Sequence, residues 1–517
     1  MIKYPIGIQT FEKIIQGDYL YVDKTEYIYN LVSTGVYYFL SRPRRFGKSL
    51  LISTLEAYFQ GKRELFRGLK IDALEKDWIE YPVLHLDMNG ENYTQENAVE
   101  KVLNRHLMEW EETHGSGSDG DTPSGRFADV IRRAHEQTGR KVVILIDEYD
   151  KSLTATLLNE ELNNKFRQQL RAFYGVLKSE DAHIQFALLT GVTKFSKVSI
   201  FSDLNHLENI SMAPDYQAVC GITDEEIDTY CRSAVEELAQ AHGSGYEEMR
   251  QVLRNKYDGY HFCEDSVGVY NPFSLMNAFK QKKLKDFWFE TGTPEMLVSV
   301  IKRSNLDVGQ LSGGTQTGSQ MGGAEKFTAN PLPMMFQTGY LTIKGYDEEF
   351  DEYTLDFPNE EVRSGFLNCL APAYLHNKEG ASVLNVASFV RDLNDGNIEQ
   401  FMLRLQTLFS NLDFKITGRK ERDFHNVLHV IFMLLGFHVR VERHTSFGSM
   451  DVEVETRESV IVFELKVDGS VDEALHQIDE KQYAAPFALS GKKIYKIGVN
   501  FSSEKRTLDD YRIVQQS

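Results

Sequence analysis

Residues 41–50 read SRPRRFGKSL, following a strand-like run, VYYFLS from Val36, and opening a helical stretch, KSLLISTLEAYFQ. A phosphate-binding loop has the pattern G-x-x-x-x-G-K-[ST], and residues 42–49, R-P-R-R-F-G-K-S, meet every fixed position except the first glycine. Backbone N–H groups around Gly47, with the positive end of the next helix, suit nucleotide phosphates. Lys48 would reach the β- and γ-phosphates and Ser49 would hold Mg2+. The run Arg42, Pro43, Arg44, Arg45, Phe46, Gly47, Lys48, Ser49 and Leu50 is thus expected to form the nucleotide-contacting loop. Arg44 and Arg45 stay open between phosphate, nucleic acid and plain solvent.

Outward from this loop, the first two hundred residues alternate apolar runs with amphipathic stretches, the pattern of a parallel sheet covered by helices. The further strands expected are YPVLHLDM from Tyr81, KVVILIDEYD from Lys141 and HIQFALLTGV from His183, each rich in β-branched or aromatic residues. Between them lie TQENAVEKVLNRHLMEWEE, RFADVIRRAHEQ and NNKFRQQLRAFYGVLK, read as helices, and HGSGSDGDTPSG, read as a surface insertion. In VVILIDEYD the apolar run delivers Asp147 and Glu148 to the carboxyl end of a strand. There the first acid suits a metal held through water and the second can polarise an attacking water. HIQFALLTGV ends in Thr190, with Thr193 close behind, where an additional-strand ATPase places a polar γ-phosphate sensor.

The chain has 517 residues, 42% of them hydrophobic and 26% charged, which suits an ordinary globular protein of about three domains. No apolar run approaches the ~20 residues of a membrane span. The start, MIKYPIGIQTFEKII, lacks the apolar core and cleavage site of a secretory signal, so a cytoplasmic protein without membrane partners is expected. Four scattered cysteines, Cys220, Cys231, Cys263 and Cys369, indicate neither a disulfide framework nor a zinc cluster. The net charge of -19 argues against coating nucleic acid through bulk positive charge. Residues 413–517 carry 15 Lys and Arg against 17 Asp and Glu, so this nearly neutral end of an acidic chain permits a polyanionic ligand.

That end also holds GSMDVEVETRESVIVFELKV, two strand-like runs joined by a short turn. Glu464 and Lys466 are two apart and leave one face of a strand, with Leu465 on the other. Asp451 starts the preceding strand and would meet them across the hairpin. An aspartate, a glutamate and a lysine at a sheet edge suit phosphodiester hydrolysis: carboxylates hold Mg2+, and the lysine positions the water.

YVDKT, SRPRRFGKSL, VVILIDEYDK, LLTGVTKFSKVSIFSDLNHL, VYNPFSL and FQTGYLTI resemble the AAA-ATPase-like family of bacterial proteins with a C-terminal PD-(D/E)XK nuclease-like domain. The likeness covers nearly the whole chain. It implies an α/β fold: a five-stranded P-loop core of the additional-strand (ASCE/AAA-like) type with the Thr190 strand between the Lys48 and Asp147 strands, a helical middle and an α/β nuclease-like end. The expected limits are 1–222 for the ATPase core, 223–305 for a helical lid, 306–412 for a linker, strand pair and helical connection, and 413–517 for the nuclease-like domain. Within these, residues 311–326 read as a mobile loop, and Asn271 reads as the cap of a helix beginning near Pro272. The resemblance makes Asp451, Glu464 and Lys466 catalytic, with Glu421 as an additional metal carboxylate and His425 one turn on. It puts Gln477, Lys481 and Tyr483 on a supporting helix. Relatives commonly read G-R-x-D where this chain has Gly448, Ser449, Met450 and Asp451, so a phosphate-steering arginine is missing.

The function expected is an ATP-binding and ATP-hydrolysing protein, using Mg2+, coupled to cleavage of DNA or RNA. The alternative is a nucleotide-dependent switch or scaffold whose nuclease-like domain does not cut. The sequence leaves open a homo-oligomer in which a neighbour completes the ATPase site.

Overall fold

The four apolar runs of the first two hundred residues become parallel strands β1 (Tyr37–Ser41), β2 (Val83–Asp87), β3 (Val142–Asp147) and β4 (Ile184–Gly191). A two-residue β5 (Glu208–Asn209) completes the order β2-β3-β4-β1-β5, so β4 lies between β1 and β3 as expected. Every residue of β1 and β3 is buried, which is why these runs carry no polar alternation. The computed structural model describes residues 2–117, 122–194, 206–289, 295–304, 306, 311–321, 329–374, 385–411, 421–436, 440–446, 449–456, 458–487, 491–505 and 507–516. At 295–296, 372–374, 421–425, 429, 440–446 and 449–451 it describes the backbone alone.

Met1–Thr293 and Leu311–Arg363 form one compact unit; Pro294–Gln310 and Ser364–Ser517 form the other. In the first, helix α1 (Lys48–Phe59) follows β1 directly, capped by Gly47 in the left-handed region at φ 98°. A side chain there would strain the backbone. The helices Ala98–His114, Pro123–Thr138 and Glu160–Ser179 match the expected stretches, but the surface insertion is shorter than expected. Pro123 starts a helix and the Thr122 hydroxyl accepts from Gly125 N–H, so the end of the insertion is helix cap and first turn.

The middle helices Arg232–His242, Tyr246–Tyr257 and α2 (Pro272–Gln281) share an apolar core through Val235, Leu238, Leu253 and Leu275. The short strands β6 (Ile222–Thr223) and β7 (Val269–Tyr270) pair beside them. Asn271 caps α2 as expected, its side-chain oxygen accepting from Phe273 and Ser274 N–H. The expected mobile loop at 311–326 is corrected: residues 314–317 form β8 (Gly314–Thr317), an antiparallel partner of β10 (Glu352–Asp356), which pairs β9 (Thr342–Asp347). Glycine and glutamine masked an alternation in which Gly314 and Gln316 face inward, and the buried Gln316 amide accepts from Asn330. Residues 322–326 lie outside the described residues.

Helix α3 (Glu360–Tyr374) begins in the first unit and continues in the second, whose boundary falls after Arg363. In the second unit α4 (Glu421–Leu435) precedes β11 (Arg440–Ser446), β12 (Ser449–Glu455), β13 (Ser459–Val467), β14 (Lys493–Ser502) and β15 (Thr507–Gln516), which lie side by side in chain order. All neighbours are antiparallel except β13 and β14. A parallel pair needs a crossover, and α5 (Val471–Glu480) supplies it, its start fixed by the reciprocal Ser470–Glu473 capping box. Strand β15 was not expected from sequence.

Candidate functional site

The chain turns from β1 into α1 through residues 42–47, and Arg45 (φ 66°) joins Gly47 in the left-handed region. The missing first glycine acquires a physical meaning here. Arg42 is buried, donates to the carbonyls of Ser41, Ser211 and Tyr216, and lies 4.1 Å from the centre of the Phe262 ring. Its guanidinium anchors the start of the loop. Pro43 packs where Gly339 leaves no room, since a Cβ there would stand 2.6 Å from the proline ring. Phe46 is buried against Tyr260 and Phe262. Arg44 and Arg45 are exposed, Arg45 lying 5.0 Å over the Phe273 ring.

In front of this loop lies a cavity of about 590 Å3, within the roughly 300–1,000 Å3 usual for ligand sites. Residues Arg44, Arg45, Phe46, Gly47, Lys48, Ser49 and Leu50 line it, as does Glu148; Arg42 and Pro43 do not. Lys48 is 6% exposed, and its Nζ donates to the carbonyls of Arg42 (3.0 Å) and Pro43 (3.1 Å). Burial pulls its ammonium pKa down, against the attraction of Asp147 and Glu148. Behind Ser49, its Oγ donates to Asp147 Oδ2 at 2.5 Å and Thr190 Oγ1 donates to Asp147 Oδ1 at 2.6 Å. Ser49, Asp147 and Thr190 thus come from a helix start and two strand ends onto one carboxylate. Glu148 sits at φ 51°, its carboxylate 3.0 Å from Lys151 Nζ.

Thr193 turns out to serve a different partner. Its N–H and Oγ1 both donate to Asp150 Oδ2, and the Tyr149 hydroxyl donates to the Thr193 carbonyl, so the second half of DEYD locks the end of β4. Burial raises the Asp150 pKa against these bonds. Lining residues that the sequence reading passed over are Asp87 and Asn89 at the end of β2, Lys151, and Lys24 of YVDKT. Asp87 stands in register with Asp147, and that shared strand-end position was the available signal. Lys24 is held by Glu226 (2.6 Å) and the Ala218 carbonyl.

In the second unit, register places Asp451 opposite Glu464 across β12 and β13. Glu464 is fully buried, and Lys466 Nζ donates to its Oε1 at 2.7 Å and to Gln477 Oε1 at 2.5 Å. Leu465 is buried at the alternate position of β13, as the strand period requires. The structure thus brings Glu464, Lys466 and Gln477 together. The side chains of Asp451, Glu421 and His425 lie outside the described residues; Glu421 opens α4. Lys481 and Tyr483 fall just past the end of α5, the ammonium 5.7 Å from the ring centre.

Residues 5–201 match the family model described as "Predicted AAA-ATPase", and residues 419–511 match that of the PD-(D/E)XK nuclease superfamily. A protein of Azotobacter chroococcum mcd 1, described as "Uncharacterized protein in vnfD 5'region", is 36% identical over 522 residues, covering 98% of each chain. These matches support a nucleotide-binding and nuclease-like protein. Among the described residues no helix is long and apolar enough to cross a membrane. The chain belongs to the AAA-ATPase-like family that carries a PD-(D/E)XK nuclease superfamily domain at its C-terminus.

Proposed function

We propose that the first unit binds and hydrolyses ATP with Mg2+, and that this controls metal-dependent cleavage of DNA or RNA phosphodiester bonds by the second. The observation that carries the first half is the convergence of Ser49, Thr190 and Asp147 beside a cavity floored by a buried lysine. A triphosphate would replace the Arg42 and Pro43 carbonyls as the partner of Lys48, giving its desolvated charge an anion. Ser49 and Asp147 would hold Mg2+, which supplies neutralising charge at the phosphates. Glu148, at the cavity wall, is the residue to orient the hydrolytic water. In the second unit Asp451 and Glu464 would hold a second Mg2+, with Glu421 as an additional ligand, and Lys466 would position the water. The Lys466 bonds to Glu464 and Gln477 support that role, because they fix the ammonium beside the carboxylate.

The test is a cleavage assay with Mg2+ and mixed DNA and RNA substrates, with and without ATP, on wild type, Lys48→Ala and Lys466→Ala. Cleavage should vanish in Lys466→Ala and lose its ATP dependence in Lys48→Ala. Unchanged cleavage in Lys466→Ala removes the proposed site. Ser449, standing where relatives commonly carry the arginine of G-R-x-D, favours a second reading, a nucleotide-dependent switch that does not cut. It predicts ATP binding with no cleavage in Mg2+ or Mn2+.

A further inference from the structure

Trp288 touches the loop at 42–47 from behind, its indole Nε1 donating to the Arg44 carbonyl at 3.0 Å. The backbone N–H of the same residue donates to Glu361 Oε1 at 2.7 Å, and Ser274 Oγ, in the first turn of α2, donates to that oxygen at 2.9 Å. Glu361 is fully buried, and its Oε2 has no hydrogen-bond partner among the described residues. It lies in the first turn of α3, the helix that continues into the second unit. Asn359 fixes that turn, its Oδ1 accepting from Val362 N–H and its amide donating to the Asp258 carbonyl. A buried acid costs stability unless it is well partnered, so this one needs a reason to be here.

We propose that Trp288 and Glu361 are positioning residues that tie the 42–47 loop to the start of α3, so that nucleotide occupancy of the cavity and the placement of α3 change together. The inference rests on the ATP binding proposed above and supplies its outward route. The loop carbonyl, the indole, the Trp288 amide, the carboxyl and the helix form an unbroken chain of bonds, through which a change at Arg44 is felt at Glu361. Trp288→Phe removes only the indole donor. Glu361→Leu removes the acceptor, and Glu361→Gln retains one.

The experiment titrates Mg2+–ATP into the full chain by calorimetry and follows hydrogen–deuterium exchange across α3 with and without the nucleotide. Trp288→Phe and Glu361→Leu should each weaken ATP about three- to tenfold, the worth of one hydrogen bond. The double variant should be no weaker than the worse single one, because both break the same chain. Glu361→Gln should stay within about twofold of wild type, an acceptor being all the chain requires. ATP should change exchange at 364–374 in wild type and Glu361→Gln but not in the other two. Wild-type affinity and exchange response in Trp288→Phe, or additive losses in the double variant, overturn the relay. No ATP binding by wild type overturns the nucleotide reading and the relay with it, an outcome distinct from binding that ignores these substitutions.

Discussion

Asp147 and Glu464 are both acids buried on strands, and they are held in opposite ways. Asp147 receives two neutral hydroxyls, from Ser49 and Thr190, while Glu464 receives the ammonium of Lys466. Hydroxyl donors fix a carboxylate's geometry and leave its full charge for a cation; an ammonium at 2.7 Å offsets that charge before any cation arrives. On the proposed reading a cation would meet neutral hydroxyls at Asp147, whereas at Glu464 it would share the carboxylate with the Lys466 ammonium.

The sharpest way to break this contrast is Lys466→Ala. It leaves a fully buried carboxylate without its ammonium, which should cost about 3–5 kcal/mol of stability in a divalent-free thermal melt. Added Mn2+ should restore much of the loss and bind more tightly than in wild type, because its competitor is gone. A variant as stable as wild type, with unchanged Mn2+ affinity, would show that the pair does not compete with metal.

Glu361 sharpens the contrast by offering a third setting, in which, among the described residues, the Trp288 amide and Ser274 hydroxyl donate to the carboxyl. Burial pushes its pKa up to about 8 from the ordinary 4.5, despite those two bonds and nearby Lys256; Asp286 adds to the rise. Tyr257 and Tyr260 also face it. The folded chain then holds a proton that the unfolded chain has lost between about pH 4.5 and 8, so this group's contribution to stability falls as pH rises through that window. The slope reaches at most about 1.4 kcal/mol per pH unit. Chemical denaturation at pH 5.5 and 7.5 should show Glu361→Gln losing less stability than wild type; equal losses would place a charged carboxylate in the native state.

The smallest effect expected is for Ser49→Ala, which removes one neutral hydrogen bond from Asp147, about 1 kcal/mol in stability without ligand. Its cost should grow when Mg2+–ATP is present, seen as a smaller ligand-induced rise in melting temperature than in wild type. An equal rise would leave Ser49 with a structural role alone.

What the sequence made legible followed from strong local patterns. The runs ending at Ser41, Asp147 and Gly191 are buried on both sides, so their apolar character marks them as strands and places Ser49, Asp147 and Thr190 near one another. The loop motif located the cavity, and the two-residue spacing of Glu464 and Lys466 put both on one face of β13. Hidden features depended on distant partners. Strand β5 has two exposed residues and exists only by pairing with β1, and β15 is largely exposed along its length. The motif places Arg42 in the nucleotide-contacting loop at the position of the missing glycine; its role as an anchor depends on carbonyls at Ser211 and Tyr216, about 170 residues away. Trp288 and Glu361 belong to no short motif, and only the fold brings them to the loop.

The most direct measurement is calorimetric titration of ATP, with Mg2+, into the full-length protein beside Lys48→Ala. The expected result is saturable binding at one nucleotide per chain in wild type and affinity weakened by roughly ten- to a hundredfold in Lys48→Ala, as the loss of a charge-assisted phosphate contact requires. No heat of binding in wild type, or equal affinity in both proteins, would contradict the assignment of the cavity in front of Gly47 to a triphosphate.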